Sequence, residues 1–455
     1  MPTQSQPIVP PAPKVHAKDL PLWRFLPAFS RNTVSTLPDY AFDVLINRRR
    51  VLGIESMLVN DPEGVRHVLA TAIGKYKRPM SSFRVFRPFA GSGVLLADGS
   101  EWRRQRRMLA PIFTPASVGL LLPHFVMAAK GLVRRIEGKT RANLSAAFQE
   151  ATLDAVLRAL FSLSDADLRE HLAALVRGYL TDSGRPNILD GLARTESAFA
   201  FAIRKRQRFQ NTWVAAVDGV VARRCNAAAS VNHGDLLDLL LAARDPESGE
   251  ALSDAEVRDQ CGTMLAAGHE TTTRLLFWAT YLLTLDLAQQ NRVRAEVVAF
   301  PPDRVTRLDD LINWPSVRQT LLEALRLYPP AAYITREAIA DDTVAGEPVR
   351  PGMLIWISPW VLHRHRKFWS QPTAFVPDRF ASKPPSWTND GAFMPFGTGP
   401  RICIGATFAM AEAHIMMATL FSRFKFSLDD TRPVLPVASV TTAPSYAPFF
   451  QLERV

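Results

Sequence analysis

The sequence predicts a mostly α-helical protein with small β-sheets, and three observations carry that prediction. Residues 101–242 are rich in Ala, Leu and Arg at helical spacing. A longer run starts at Ser253, with Glu256 three residues on to complete a capping box. It stays apolar through Leu265, Ala267 and Leu276 to Leu283. Strand-like patterning is confined to short stretches, chiefly Ile54–Val59 and residues 343–359, without the regular strand–helix alternation of a doubly wound sheet.

Residues 1–20, with Pro10, Pro11 and Pro13, read as a disordered Pro-rich tail. Residues 21–455 read as one domain, since no linker divides them. The strand at Ile54–Val59 runs into Asn60-Asp61-Pro62, a helix start with Asp61 as cap and Pro62 in the first turn. Residues 75–99 form a long connection carrying Phe83, Phe86 and Phe89, the composition of a binding loop. A turn follows at 244–249, and a later helix ends at Tyr328-Pro329-Pro330. The strands of 343–359 turn near Ala345-Gly346, and a glycine-rich loop at 396–405 precedes a helix from Ala406 to about Phe421.

Hydrophobic residues at 47% and charged residues at 21% place the chain among soluble globular proteins. Three scattered cysteines, Cys225, Cys261 and Cys403, make neither a disulfide framework nor a paired metal motif. No stretch reaches the roughly 18 apolar residues of a spanning helix, and the N-terminus carries no apolar run. These features predict a cytoplasmic protein with no integral membrane segment. The formal charge is +11. No zinc-finger spacing, RNA-binding motif or long basic block accompanies it, so nucleic acid is not expected as a partner. Arginines scattered over a large surface account for the charge, and an acidic protein partner is the alternative.

The strongest motif is Phe396-Gly397-Thr398-Gly399-Pro400-Arg401-Ile402-Cys403-Ile404-Gly405. Glycines on either side let the backbone approach a flat ligand, and turned amides can point at the sulfur, stabilising a thiolate. The helix that begins just beyond Cys403 adds its N-terminal dipole. Phe396 would limit water at the sulfur, and Arg401 is placed to reach a carboxylate. The five fixed positions recur by accident in well under about one chain in a thousand.

Here the chain resembles the cytochrome P450 family, whose haem-binding signature is Phe-x-x-Gly-x-Arg-x-Cys-x-Gly, and the resemblance spans nearly everything after the tail. It implies one mostly helical fold enclosing haem b (iron protoporphyrin IX) between a long central helix and the loop that supplies Cys403 as the iron's ligand. Ala267-Gly268-His269-Glu270-Thr271-Thr272 lies mid-helix, where a glycine and hydroxyl residues are poor helix formers and make sense if the helix opens locally beside a ligand. Glu270 and Thr271 match the family's proton-delivering acid and alcohol. Glu323 and Arg326, three apart on one helix face, match a buried structural triad with Arg379. Trp102 and Arg106, four apart, match haem-propionate ligands, as does Arg336. Phe396, Arg401, Cys403 and Gly405 complete the cofactor set.

The resemblance implies a monooxygenase that inserts one oxygen atom from O2 into an apolar organic substrate. Electrons would come from a separate donor, a ferredoxin with its reductase, docking where Arg103, Arg104 and Arg107 project from the arginine-rich helix. The substrate pocket is expected to draw on Phe83, Val85, Phe86, Phe89, Ala267, Ala332, Tyr333, Ile334 and Tyr446; Arg84 and Arg87 read as solvated arginines, with a carboxylate anchor at one of them the alternative. A peroxide-using or rearranging haem–thiolate enzyme and a haem-based sensor or carrier are the alternatives. The intact acid–alcohol pair counts against both.

Overall fold

A computed structural model describes residues 7–162, 166–179, 184, 189–190, 193, 195–196, 198, 200–226, 234–382 and 391–455. Its centre is the helix Asp254–Leu285, whose 32 residues extend about 48 Å. The capping box at its start is formed: Ser253 Oγ accepts from the Glu256 amide, and Glu256 accepts from the Ser253 amide at 2.8 Å. The helix is buried nearly all round, which explains its lack of a polar stripe. Helices Leu144–Phe161, Pro315–Leu327, Met80–Ala90 and Ala406–Phe421 pack against it.

Aromatic rings fill the far end of this helix. Trp278 stacks on Tyr328 with centroids 4.0 Å apart, and Phe277 and Tyr281 continue the cluster. The indole N–H of Trp278 donates to Thr442 O at 2.8 Å, so the buried polar tip is satisfied. Truncating such a ring costs about 3–5 kcal/mol.

A five-stranded sheet stands beside the helices, in the order Ile46–Val51, Ile54–Val59, Leu354–Ile357, Ile334–Ala338, Tyr76–Lys77. Only the Ile54–Val59 to Leu354–Ile357 pairing is parallel. The turn at Ala345-Gly346 joins the hairpin Asp342–Val344 and Glu347–Val349. Near the C-terminus, Arg141–Ala142, Phe450–Arg454 and Phe424–Leu428 form a three-stranded sheet. A separate hairpin pairs Pro436–Ala438 with Thr442–Pro444.

Two local expectations need correction. Residues 7–20, expected to belong to a disordered tail, lie extended along the body. Ile8 O accepts from the Phe375 amide and Pro11 O from the Tyr328 hydroxyl, both at 2.8 Å, and Pro10 is buried. Prolines fix φ in advance, so little chain entropy opposes docking once these carbonyls have donors. Within 75–99, expected as a loop, Met80–Ala90 is helical despite Pro88. Its register is set by distant partners: a Cβ at Gly262 of the central helix would stand 2.2 Å from Phe89 O, and Trp213 Nε1 donates to that same carbonyl at 3.0 Å. Only glycine allows this crossing.

Candidate active site

The loop before Ala406–Phe421 is built around its cysteine. Gly397 and Gly399 hold φ of 77° and 73°, and a Cβ at Gly399 would meet Leu69 O at 2.4 Å. The Cys403 amide donates to Phe396 O at 2.9 Å, closing the loop, while the Gly405 amide is directed at the sulfur. Burial pushes the thiol above its ordinary range, opposed by that amide and by Arg106. Cys403 keeps accessible surface although protein surrounds its sulfur. Ala267 is likewise accessible in the middle of the otherwise buried central helix.

Three arginines, Arg78, Arg336 and Arg401, share a single carboxylate, that of Asp98. Arg401 donates to Ala97 O at 2.9 Å, pairs with Asp98, and lies 4.4 Å over the Trp102 ring. Arg336 is buried, its proton affinity pulled down to about 10 by desolvation and then by Arg401, with Asp98 opposing. Arg78 is pulled down to about 9 by desolvation, Arg336 and Arg401, and its Nε has no partner among the described residues. Desolvation also depresses Arg106, with Cys403 opposing. So much enclosed positive charge on one acid calls for a bound anion with at least two negative charges. Arg78 was missed in the sequence. It stands opposite Arg336 because Tyr76 pairs with Ala338 and Lys77 with Glu337.

The central helix does not open at its Gly-Thr segment, contrary to the sequence expectation. Thr271, Thr272 and Thr273 donate to the carbonyls four residues back, Ala267, Gly268 and His269, at 2.8, 3.0 and 2.9 Å. The hydroxyls satisfy themselves within an unbroken helix. Glu270 is buried, with Oε1 accepting from Arg274 at 2.9 and 2.5 Å and from Thr441 Oγ1 at 3.0 Å. Its Oε2 has no partner among the described residues. His269 is buried and held neutral, pulled to about 4 by desolvation. Near Thr272, Glu412 of Ala406–Phe421 is pushed well above the usual carboxyl range by burial. The Thr272 hydroxyl lies beside it but donates to Gly268 O.

On helix Pro315–Leu327, Glu323 and Arg326 are fully buried and joined by two 2.7 Å hydrogen bonds. Arg379 Nε reaches Glu323 at 3.2 Å, and the Val376 amide donates to the same carboxylate at 2.8 Å. Arg326 also donates to the carbonyls of His363, Pro372 and Ala374 at 2.8, 2.6 and 2.7 Å. The segment leading to the cysteine loop is thereby tied to this helix.

Comparison with known proteins decides what this arrangement is. The family model described as Cytochrome P450 matches residues 46–446. The chain belongs to the cytochrome P450 family. It is 31% identical over 374 residues to a cytokinin hydroxylase of Arabidopsis thaliana, covering 79% of this chain and 71% of that protein. It is 30% identical over 354 residues to cyclooctatin synthase of Streptomyces melanosporofaciens, covering 74% of each. Cytochrome P450 4F3 of Rattus norvegicus is 32% identical over 386 residues, 77% of this chain and 71% of its own. The crystal structure of a cytochrome P450DA haem domain superposes with a TM-score of 0.77, 24% identity and 98% coverage of both chains, a likeness of fold.

As a cytochrome P450 it is a haem–thiolate monooxygenase that uses protohaem. The residues present fit that group: an enclosed sulfur with an amide directed at it, and an enclosed arginine cluster short of carboxylates. No described helix is long and apolar enough to cross a membrane.

Of the P450's expected pocket residues, Phe83 lies under the Arg87 guanidinium and Phe86 is half-buried. Phe89 is taken up by packing, stacked on Trp213 at 4.4 Å and Phe209 at 5.6 Å. Val85 is buried and its carbonyl accepts from Tyr179 at 2.5 Å. Ala332 belongs to the core. Tyr333 meets Trp356 edge-on at 5.4 Å, and Ile334 approaches Gly397 of the cysteine loop. Tyr446 is engaged outside, donating to Arg432 O at 2.9 Å beneath the Arg432 guanidinium. Arg84 is locked on Asp190 at 2.9 Å, and Arg87 pairs with Glu196 at 2.6 Å. On helix Gly99–Leu109, Arg104 pairs with Glu101 and Glu256, and Arg107 with Asp245 and Glu247. Arg103 is exposed.

Proposed function

We propose that Cys403 ligates the haem iron, that Trp102, Arg106, Arg336 and Arg401, joined by Arg78, hold the propionates, and that Glu270 and Thr271 deliver protons. The single observation that carries this reading is the enclosed Cys403 sulfur beside an arginine cluster short of counter-charge. When bound, the haem supplies O2 activation and transfer of one oxygen atom to the substrate.

This chain's residues do the rest. The Gly405 amide and the dipole of helix Ala406–Phe421 support negative charge on Cys403. The arginines neutralise two carboxylates in a site that water reaches poorly. Thr271 holds a proton at Oγ1 on the helix face it shares with the accessible Ala267, and Glu270 resupplies it through water from Oε2. Phe396 limits water at the sulfur. Glu323, Arg326 and Arg379 hold the loop's approach and touch neither substrate nor cofactor.

The substrate is an apolar organic molecule, hydroxylated or epoxidised. Phe25, Phe29, Leu58, Tyr333 and Trp356 line a 290 Å3 groove between helix Leu22–Arg31 and the five-stranded sheet, and Ile334, beside Tyr333, approaches the cysteine loop. Relatives carrying hydroxylase names support hydroxylation. A ferredoxin with its reductase supplies the electrons, and the cytoplasm is the compartment. The deciding experiment compares product formed on a ferredoxin and its reductase with product formed on hydrogen peroxide. It is run alongside the red-shifted carbon-monoxide difference band of a thiolate ligand. Cys403→Ser should lose band and product, while Cys261→Ser keeps both; the reverse pattern refutes the ligand assignment. Turnover on peroxide alone refutes the electron-transfer reading.

A further inference from the structure

The carboxyl group of Glu270 is held asymmetrically. All three of its hydrogen bonds converge on Oε1, two from Arg274 and one from Thr441, while Oε2 is buried and unpartnered among the described residues. Arg274 is four residues along the same helix and moves with Glu270. Thr441 is different, because it comes from another part of the fold and fixes the carboxyl from outside.

Thr441 stands at the turn between strands Pro436–Ala438 and Thr442–Pro444, and that hairpin is braced from two sides. Next to it, the Thr442 amide donates to Pro330 O at 3.0 Å, the Thr442 hydroxyl to Pro329 O at 2.6 Å, and Thr442 O accepts from Trp278. On the other strand, Asn32 Oδ1 accepts from the Ala438 amide and Asn32 Nδ2 donates to Pro436 O, both at 2.9 Å. Asn32 ends the helix whose Phe25 and Phe29 wall the apolar groove, and Ser439 of the same turn lines that groove.

These neighbours hold the turn that carries the Thr441 hydroxyl in place against Glu270. We infer that Thr441 is a positioning residue for proton delivery: its hydroxyl fixes Glu270 Oε1, so that Oε2 alone takes up a proton from water and releases it toward Thr271. This rests on the reading of Glu270 and Thr271 as the proton route. It also joins that route to the wall of the groove. A substrate pressing on Ser439 bears on the turn that aims the acid.

The test uses the haem-loaded protein. Thr441→Val removes the hydroxyl at nearly constant shape, and Thr441→Ser restores it. Product formed per reductant consumed should fall about three- to tenfold in Thr441→Val, the range one ordinary hydrogen bond spans while the two from Arg274 remain, and recover in Thr441→Ser. Haem content and substrate affinity should hold. Independently of turnover, the infrared band of the Glu270 carboxyl, identified by its loss in Glu270→Gln, should shift in Thr441→Val and return in Thr441→Ser. Wild-type coupling and an unshifted band in Thr441→Val overturn the inference, as does equal loss in Thr441→Ser. If Glu270→Gln and Thr271→Ala uncouple while Thr441→Val does not, only Thr441's role falls. If those two stay fully coupled, the proton-route reading falls and takes this one with it. Should Thr441→Val fail to hold haem, Thr441→Ala is the second truncation, and failure of both makes Thr441 a purely structural residue.

Discussion

Arg326 gives Glu323 two hydrogen bonds of 2.7 Å, and neither side chain reaches solvent. Removing one charge strands the other, at about 3–5 kcal/mol. Glu323→Gln should therefore lower the urea midpoint and the yield of haem-loaded protein together. The paired change Glu323→Leu with Arg326→Met removes both charges, which elsewhere is often nearly neutral. Here it also leaves the carbonyls of His363, Pro372 and Ala374 without their donor, so the double variant should stay well below wild type. Denaturation of both variants decides it; a double variant as stable as wild type would mean those carbonyls carry no energy.

The arginine cluster predicts opposite signs with and without its anion. Arg78 is repelled by Arg336 and Arg401, and among the described residues only Asp98 opposes them. Arg78→Ala should raise the melting temperature of haem-free protein by relieving that repulsion. In loaded protein the same change should speed haem transfer to a competing acceptor about ten- to a hundredfold, the worth of one hydrogen bond to a charged group. Unchanged transfer would place Arg78 outside the cofactor site.

These residues show what the sequence could and could not give. The cysteine loop and the Glu323–Arg326 pair are local, fixed by spacings of a few residues, and were legible. Arg78 was not, because its place depends on Tyr76–Lys77 pairing with a strand some 260 positions later. Met80–Ala90 looked like a loop because Pro88 and two serines break its pattern, while Trp213 and Gly262 decide its state from afar. Phe89 illustrates the same limit, since an aromatic residue near a site is as readily claimed by packing. Arg274 and Thr441 were overlooked because nothing local ties them to Glu270 except the four-residue helical step.

Three buried histidines predict acid sensitivity. His363 is pulled to about 3, by desolvation and then Arg326 and Arg364, and His269 and His414 to about 4, by desolvation first. A histidine whose folded value is depressed gives its full stability above its unfolded value near 6.5. That stability is lost as pH falls toward the folded value, at about 1.4 kcal/mol per pH unit for each residue. Urea midpoints should hold above pH 6.5 and drop steeply between pH 6 and 4. His269→Leu, at a ring whose nitrogens have no partner among the described residues, should shallow that drop; an unchanged slope would mean its ring is hydrated and titrates normally.

The last prediction concerns electron delivery. The arginine-rich helix looked uniformly basic in sequence, yet Arg104 and Arg107 face acids and much of their charge is spent inside the fold. Arg103 is exposed and keeps its charge for a partner. Reduction by an acidic ferredoxin should still slow with salt, since the Debye length falls from about 30 Å at 0.01 M to about 3 Å at 1 M. Arg103→Glu should slow the association step and flatten its salt dependence while leaving substrate affinity and stability alone. Arg107→Glu should act differently, because it sets a carboxylate against Asp245 and Glu247. Its main effect should be a lower melting temperature. Stopped-flow reduction across a salt series, with melting curves for both variants, separates docking from folding. Equal slowing by both variants at unchanged stability would return Arg107 to the docking face.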